Sequence, residues 1–326
     1  MKKKKSLFYI TYQSFPANTA NSLQTISNIK YFVKNNLNVT LIFPLREPGS
    51  TDDLSLIQNK YSINENFQVV GTDHNLPFGK FNFFNKLFFL ISHYLWSKRT
   101  VNNLLKNNTD PDFFITRSDW IFYFLSKNKK NVVFECHQYS KLRKRLLEKS
   151  LKEEGSKIIF LNDNLKNDYK NQEIIKDKSI VLHNGVDFDL FSEKLKKNKN
   201  EIVFIGQLTR FNESRNIDFI IESIIKYSSN FRFKIIGASD EEIIKINKSL
   251  SSIKNRENIE VLGRLEREAT IKEIKIAEIG LLINSDGNDH STKYTSPLKY
   301  FEYLAADLKV LAVDFDSHRK LPFSED

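Results

Sequence analysis

The chain has 326 residues, 40% of them hydrophobic and 28% charged, which is typical of a globular protein large enough for two domains. Its single cysteine, Cys136, excludes a disulfide framework and indicates a reducing compartment. The formal net charge of +10 favours anionic partners, although an AT-rich coding sequence would also produce a chain this rich in lysine, asparagine and isoleucine.

The N-terminal stretch begins with lysines and continues into a short apolar run at residues 6–12. This run predicts a first strand rather than a signal peptide. No apolar run approaches the roughly 20 residues needed to cross a bilayer. We therefore expect a cytoplasmic protein, with peripheral contact at the inner face of the membrane left open.

The first half predicts strands that alternate with helices. Strands are expected at residues 6–12, 39–43, 67–71, 112–116, 131–135, 157–161 and 179–182, and helices near 21–35, 120–126 and 138–153. This alternation is typical of a parallel sheet covered on both faces. Open sheets of this kind bind ligands at strand carboxyl ends, so the loop 13–20 is a candidate ligand loop, and its lack of glycine argues against a conventional NAD site.

Residues 81–96 form the most apolar stretch of the chain. It is too short and too polar to span a membrane. One interpretation is a core helix with Asn82, Asn85 and Lys86 facing outward. The alternative is a partly exposed face that touches lipid or a lipid-linked substrate.

The second half repeats the α/β pattern. Residues 183–187 predict a turn, and the lysine- and asparagine-rich stretch 194–200 predicts an interdomain connection. Strands are then expected at 201–205, 231–236, 259–262, 279–283 and 309–313. One helix is expected between residue 216 and residue 227, a second near 270–277, and a third after residue 296. Two such halves would create a cleft lined by strand carboxyl ends, where ligands bind.

The last of these helices has a start suited to an anionic ligand. Pro297 fits the first helical turn, and Ser296 is the predicted N-cap, which leaves backbone amides available to an anion. Lys299 lies one turn in, and Glu302 follows on the same face. This combination suits a ligand with phosphates and a diol. An ordinary capped helix with a surface ion pair is the alternative.

Four segments, in this order, resemble the GT-B glycosyltransferases of the large family 4 group. They are residues 15–24, residues 135–137, residues 182–187 with Phe191, and residues 296–305 with Val310. The fourth segment is the most specific, and the resemblance covers nearly the whole chain. It implies two Rossmann-like domains with parallel sheets facing a central cleft, residues 1–185 on the acceptor side and 186–326 for the nucleotide sugar.

The resemblance also implies an activity. This activity is transfer of a sugar, with retention of configuration, from a nucleotide-diphosphate sugar to a glycan or lipid-linked acceptor in cell-surface polysaccharide or glycolipid synthesis. No metal or other cofactor is expected. By the same resemblance, Glu302 would bind the ribose hydroxyls, and Arg215, with Arg210 as a second candidate, would neutralise the diphosphate. His137 would be the catalytic residue near the transferred sugar.

The other site residues follow from the same match. The remaining donor-binding positions are Gly206, Tyr294, Thr295, Ser296, Pro297, Leu298 and Lys299. The acceptor-side or cleft positions are Asn18, Ala20 and Asn21.

The chain departs from the family pattern at several points. Tyr294 stands where the first of the family's paired glutamates is expected, Gln207 replaces a common arginine, and Asp307 replaces the usual glycine. The chain also stops soon after its last predicted strand. Two alternatives therefore remain open: an inactive or truncated partner subunit, and a nucleotide-sugar epimerase of the same fold.

Metal and nucleic-acid partners are not expected. Asp-x-Asp triplets at residues 110–112, 187–189 and 314–316 resemble a metal motif of another glycosyltransferase fold. Among 40 acidic residues, however, such triplets arise by chance. No His/Cys cluster has the spacing of zinc ligands. The basic residues are dispersed, and no nucleic-acid recognition motif is present.

Overall fold

The computed structural model describes residues 4–76, 85–169, 172–210, 213–227, 230–251 and 256–324. The chain divides into two compact units, Met1–Leu182 and His183–Asp326. Part of the predicted helix at 81–96, residues 81–84, lies outside the described residues.

The first unit contains a parallel sheet and its covering helices. The strands are β1 (Ser6–Ile10), β2 (Asn38–Leu45), β3 (Gln68–Asp73), β4 (Phe113–Thr116), β5 (Val132–Cys136), β6 (Ser156–Phe160) and β7 (Ser179–Val181). The helices are α1 (Ala20–Lys34), α2 (Leu54–Tyr61), α3 (Asn85–Lys106), α4 (Asp119–Lys127), α5 (Lys141–Ser150), α6 (Asp163–Asp168) and α7 (Gln172–Lys176). All seven predicted strands are confirmed, whereas α2, α6 and α7 were not predicted.

The strand order of the first sheet is β3-β2-β1-β4-β5-β6-β7. The chain winds outward in both directions from the β1–β4 pair, so the crevice at their carboxyl ends is where a sheet of this kind binds ligands. The fully buried side chains of Leu7 and Tyr9 on β1 fix this central strand in the core, where Ile26 and Ile29 of α1 pack. The fold thus places the loop after β1 at the crevice.

The second unit has a smaller parallel sheet. Its strands are β8 (Glu201–Ile205), β9 (Thr209–Arg210), β10 (Glu213–Ser214), β11 (Arg232–Ile236), β12 (Ile259–Leu262), β13 (Ile279–Leu282) and β14 (Lys309–Ala312). Its helices are α8 (Ile217–Tyr227), α9 (Asp240–Leu250), α10 (Arg267–Ile276), α11 (Leu298–Ala305) and α12 (Asp316–Arg319). The sheet order is β12-β11-β8-β13-β14, and β9 and β10 form a separate antiparallel hairpin. The five predicted strands of this half are confirmed.

One connection was predicted wrongly. The stretch 194–200 lies inside the second unit rather than between the two units. Lys197 Nζ donates a hydrogen bond of 2.6 Å to the carbonyl of Ala306, which holds this stretch against the end of α11. Its polarity therefore reflects a surface segment and not a linker.

Helix α3 overlaps the predicted helix at 81–96 and continues to Lys106. It carries apolar side chains on its exposed side as well as on its buried side. Ser92, Trp96 and Thr100 are buried, so one face packs inward. Leu87 and Ile91 are exposed, so the core-helix interpretation accounts for only part of the helix. Among the described residues, no helix is both long enough and apolar enough to cross a bilayer.

Tyr303 of α11 packs directly on the backbone of β13 at Gly280. The ring is fully buried, and a Cβ atom at position 280 would overlap it. We expect Gly280→Ala to lower the free energy of unfolding by about 2 kcal/mol, because overpacking displaces a ring with no room to move. Urea unfolding measures this loss. Gly185→Ala is the matched control, since a Cβ there meets nothing within 4 Å. Equal unfolding midpoints for the two variants would contradict this account.

Candidate functional site

The carboxyl end of β8 opens into a turn built on Gly206. This residue has a φ of +132°, a backbone conformation that favours glycine. Gly237, at the end of the neighbouring β11, has a φ of +107°, and a Cβ there would lie 3.0 Å from the Gly206 carbonyl oxygen. Two glycines therefore meet without side chains between them, so a ligand can approach the backbone closely at this edge.

Two cations converge on this turn. A Cβ at Gly206 would lie 3.0 Å from Arg215 Nη1 and 3.7 Å from Lys299 Nζ. Arg215 is only 7% exposed. Lys299 Nζ donates to the Ile205 carbonyl at 3.1 Å and lies 4.3 Å from the centre of the Phe204 ring. Because like charges repel in a partly buried site, an anion bound between them would be stabilised.

The hairpin β9–β10 positions Arg215. The Arg215 backbone amide donates to the Leu208 carbonyl at 2.9 Å, which closes the hairpin. Glu213 of β10 accepts hydrogen bonds from the side chains of Ser285 and Asn288, and these bonds lower the pKa of Glu213. The hairpin thus connects the Gly206 turn to the loop after β13. Arg210, the second candidate, ends β9, and its side chain lies outside the described part of the chain.

The segment before α11 is held by the turn that starts the second unit. Ser296 does not cap α11 as predicted: Pro297 occupies the N-cap position, and the Ser296 hydroxyl instead accepts from the Asn184 amide at 3.0 Å. The Asn184 side chain also donates to the Ser296 carbonyl. The predicted donor residues around Ser296 are buried or half-buried: Tyr294, Thr295, Pro297 and Leu298. The helix start is therefore fixed by a contact from residues far away in sequence.

Glu302 forms an ion pair that sequence reasoning missed. Arg267 Nη2 lies 2.6 Å from Glu302 Oε1, and the two side chains are 18% and 10% exposed. Arg267 is the first residue of α10, where a cation is opposed by the helix macrodipole. That unfavourable placement was a signal that the arginine serves another purpose, and its partner here is the predicted ribose-binding carboxylate.

In the first unit, the predicted residues lie near the carboxyl edge of the sheet. His137 follows β5 directly and is half-buried. Asn18, Ala20 and Asn21 are exposed around the first turn of α1, which Thr19 caps by accepting from the Ser22 amide at 3.1 Å.

A buried ion pair links α1 to the strand that precedes His137. Arg117 Nε donates to Glu135 Oε2 at 2.8 Å, and Arg117 Nη1 donates to both oxygens of Asn21. The Tyr9 hydroxyl donates to Glu135 Oε2 at 2.5 Å, and burial raises the pKa of Tyr9. A glutamate in a buried strand needs partners of this kind, so Glu135 alone could have signalled the cluster.

His93 of α3 should make the free energy of unfolding depend on pH. Its ring stacks on Tyr12 with centroids 4.5 Å apart, and Nε2 lies 2.7 Å from the Ser118 hydroxyl oxygen. Burial lowers the pKa of His93 to about 4; nearby Asp119 opposes this shift, while Arg143 and Arg46 add to it.

Because the folded-state pKa lies below the unfolded-state value of 6.5, the unfolded chain takes up the proton first. The free energy of unfolding should therefore fall as pH drops from 6.5 towards 4, by up to about 1.4 kcal/mol per pH unit. His93→Phe keeps an aromatic ring against Tyr12 and removes the titrating group. Urea unfolding across this pH range should give a shallower slope for the variant, and parallel slopes would contradict the assignment.

Two of the three Asp-x-Asp triplets contribute carboxylates to hydrogen bonds or ion pairs within the fold. Asp112 accepts from the amide and hydroxyl of Ser6, Asp314 pairs with Arg319, and Asp316 pairs with Lys320 at 2.9 Å. Within the described ranges, no three His, Cys, Asp or Glu side chains form a group that could hold a metal ion.

The chain is similar in structure to solved glycosyltransferases. A glycosyltransferase from Rickettsia africae is 16% identical with a TM-score of 0.64, and the match covers 97% of this chain and 81% of that one. HepE from Anabaena, in complex with UDP, is 9% identical with a TM-score of 0.61, over 94% and 80% of the two chains. An alpha-glucosyltransferase in complex with UDP and DNA is 13% identical with a TM-score of 0.60, over 98% and 82%.

No protein-family model matches the chain. No curated protein matches it either. The structural likeness shows the fold: an α/β architecture with two parallel sheets, shared with GT-B glycosyltransferases.

Proposed function

We propose that this protein is a glycosyltransferase whose second unit binds a nucleotide-diphosphate sugar. The observation that carries the proposal is the convergence of Arg215 and Lys299 on the Gly206 turn. Two cations beside bare backbone suit a diphosphate, whose charge grows as it leaves the sugar in the transition state. The neighbours that were solved with UDP support the same ligand class.

Other residues complete the proposed donor site. Glu302 would accept hydrogen bonds from the ribose hydroxyls, and Arg267 would hold that carboxylate in place. The start of α11, with Ser296, Pro297 and Leu298, would lie along the diphosphate. The two cations would meet the phosphate charge without a divalent metal, so we expect donor binding to survive strong chelation.

The first unit would receive the acceptor. His137 at the end of β5 would lie near the transferred sugar, and Asn18, Ala20 and Asn21 would contact the acceptor. We propose family 4-like transfer with retention of configuration to a glycan or lipid-linked acceptor in cell-surface polysaccharide or glycolipid synthesis. A cytoplasmic enzyme would have access to both substrates.

A thermal-shift screen tests donor binding directly. A ligand that binds only the folded state raises the melting temperature, so UDP-, GDP- and ADP-sugars can be ranked by the rise they cause. We expect one nucleotide class to stabilise the protein clearly more than the others. The absence of stabilisation by all three would overturn the proposal.

One observation favours a second candidate, a donor-binding chain without turnover. Tyr294 is buried at the position where the family resemblance implies an acid. Product analysis separates the two candidates: incubation with the stabilising donor and an acceptor panel, including DNA, should give a glycosylated product. An altered nucleotide sugar formed without any acceptor would instead identify an epimerase.

A further inference from the structure

Helix α3 carries an apolar outer face that the core of the first unit does not use. Five large apolar side chains in its first half are exposed. Phe89 lies against Tyr12 and Arg46, and the other four are Leu87, Leu90, Ile91 and Leu95. Their spacing places them on one side of the helix. We call these four residues the α3 apolar face. The opposite side, with Ser92, Trp96 and Thr100, is buried.

The surroundings of this face are aromatic. Tyr94 lies on the same side of α3, with its ring centre 4.8 Å from that of Trp120 and 5.7 Å from that of Phe124 on the neighbouring helix α4. Trp120 and Phe124 are half-buried. Aromatic rings with a polar edge are enriched where a protein meets the headgroup region of a bilayer.

The charge of the same helix is of one sign. The sequence of α3 contains no aspartate or glutamate, although the chain has 40 of them. Lys98, Arg99 and Lys106 follow the α3 apolar face along the helix and are exposed. An apolar patch next to cations is complementary to an anionic lipid surface.

We propose that the α3 apolar face docks the protein peripherally on an anionic lipid bilayer. The four apolar side chains would enter the boundary between headgroups and acyl chains, while Lys98 and Arg99 would contact lipid phosphates. The inference does not depend on the proposed sugar transfer, because it requires only a surface and not a donor site. If transfer also occurs, docking would bring the first unit close to a lipid-linked acceptor.

Vesicle flotation of the full chain tests this proposal. The wild type should float with vesicles of phosphatidylcholine and phosphatidylglycerol, and should remain below with phosphatidylcholine alone. Ile91→Glu should reduce flotation by about tenfold or more, because a charge at this depth opposes insertion. Replacing Lys98 and Arg99 with glutamine should also cost about tenfold, since each cation adds to attraction by anionic lipid.

A matched control excludes a general effect of surface charge. Ile91 is 45% exposed, and Ile244 on α9 of the second unit is 69% exposed. Ile244→Glu should float like the wild type. If both variants unfold at the melting temperature of the wild type, neither has lost its fold.

Tryptophan fluorescence provides a second measurement, which leaves the sequence of α3 unchanged. The chain has two tryptophans, of which Trp96 is buried. Brominated lipids should quench the fluorescence of the wild type, and Trp120→Phe should remove that quenching.

Three results would overturn the proposal. They are no flotation of the wild type with anionic vesicles, equal flotation of Ile91→Glu, and a wild-type dimer that Ile91→Glu converts to a monomer. The last result would show that a second copy of this chain covers the α3 apolar face.

Discussion

Replacing Arg215 with methionine should weaken the binding of a nucleoside diphosphate by about 100-fold. The guanidinium is almost fully buried and lies beside Gly206, so its hydrogen bonds to a phosphate would be charge-assisted and shielded from water. Loss of about 2 to 3 kcal/mol of binding free energy follows from such contacts. Isothermal titration with UDP, or with the nucleotide class that the thermal-shift screen selects, measures the loss.

The matched control is Arg232→Met. Arg232 is the first residue of β11, at the amino edge of the same sheet, and its side chain is exposed. It contributes equally to net charge but lies at the opposite end of the strands. We expect its removal to leave the dissociation constant almost unchanged. Similar losses for both variants would show that binding depends on overall charge and not on the Gly206 turn.

The stability of the ligand-free protein should not follow this loss of binding. Arg215 and Lys299 are like charges that approach the same glycine, so removal of one relieves repulsion, which offsets the loss of the contacts that the guanidinium makes, such as that with the Phe204 ring. Methionine preserves most of the packing. The melting temperature of ligand-free Arg215→Met should therefore not fall. A side chain whose removal weakens binding without lowering stability contributes to ligand binding and not to folding.

The sheets and the Gly206 turn could be predicted from sequence because each leaves a local pattern. Buried parallel strands appear as short apolar runs, and all twelve strands predicted from such runs occur in the two sheets. Gly206 directly follows one of these runs, and Lys299 lies in the first turn of a helix with the spacing of an amphipathic face. Such signals lie within one element and its neighbours.

The features that sequence reasoning missed are long-range pairs. Ser296 has the usual chemistry of an N-cap, yet its hydroxyl accepts from Asn184, more than 100 positions away. The Arg267–Glu302 pair likewise joins two helices. A single sequence shows that such groups exist but not which of them meet. Short helices such as α2 and α6 were also not predicted, because they contain too few residues to show a helical period.

The second large effect concerns the Arg267–Glu302 ion pair. Glu302→Leu should lower the free energy of unfolding by about 3 kcal/mol, because it leaves the mostly buried Arg267 cation without its partner. Arg267→Leu should cost a similar amount for the converse reason. The double variant should recover most of this loss, since replacing both partners of a buried pair with apolar groups is often neutral. Urea unfolding of the four proteins gives the coupling free energy.

Nucleotide binding should not follow stability across this cycle. Glu302→Leu and the double variant should both bind UDP about 100-fold more weakly than the wild type, because the ribose diol loses a charged acceptor in each. Arg267→Leu should lose much less, since the carboxylate remains. A double variant that is stable and still binds UDP like the wild type would contradict the ribose assignment and leave the pair a purely structural role. Recovery of stability without recovery of binding would instead identify Glu302 as a nucleotide ligand that Arg267 holds in position.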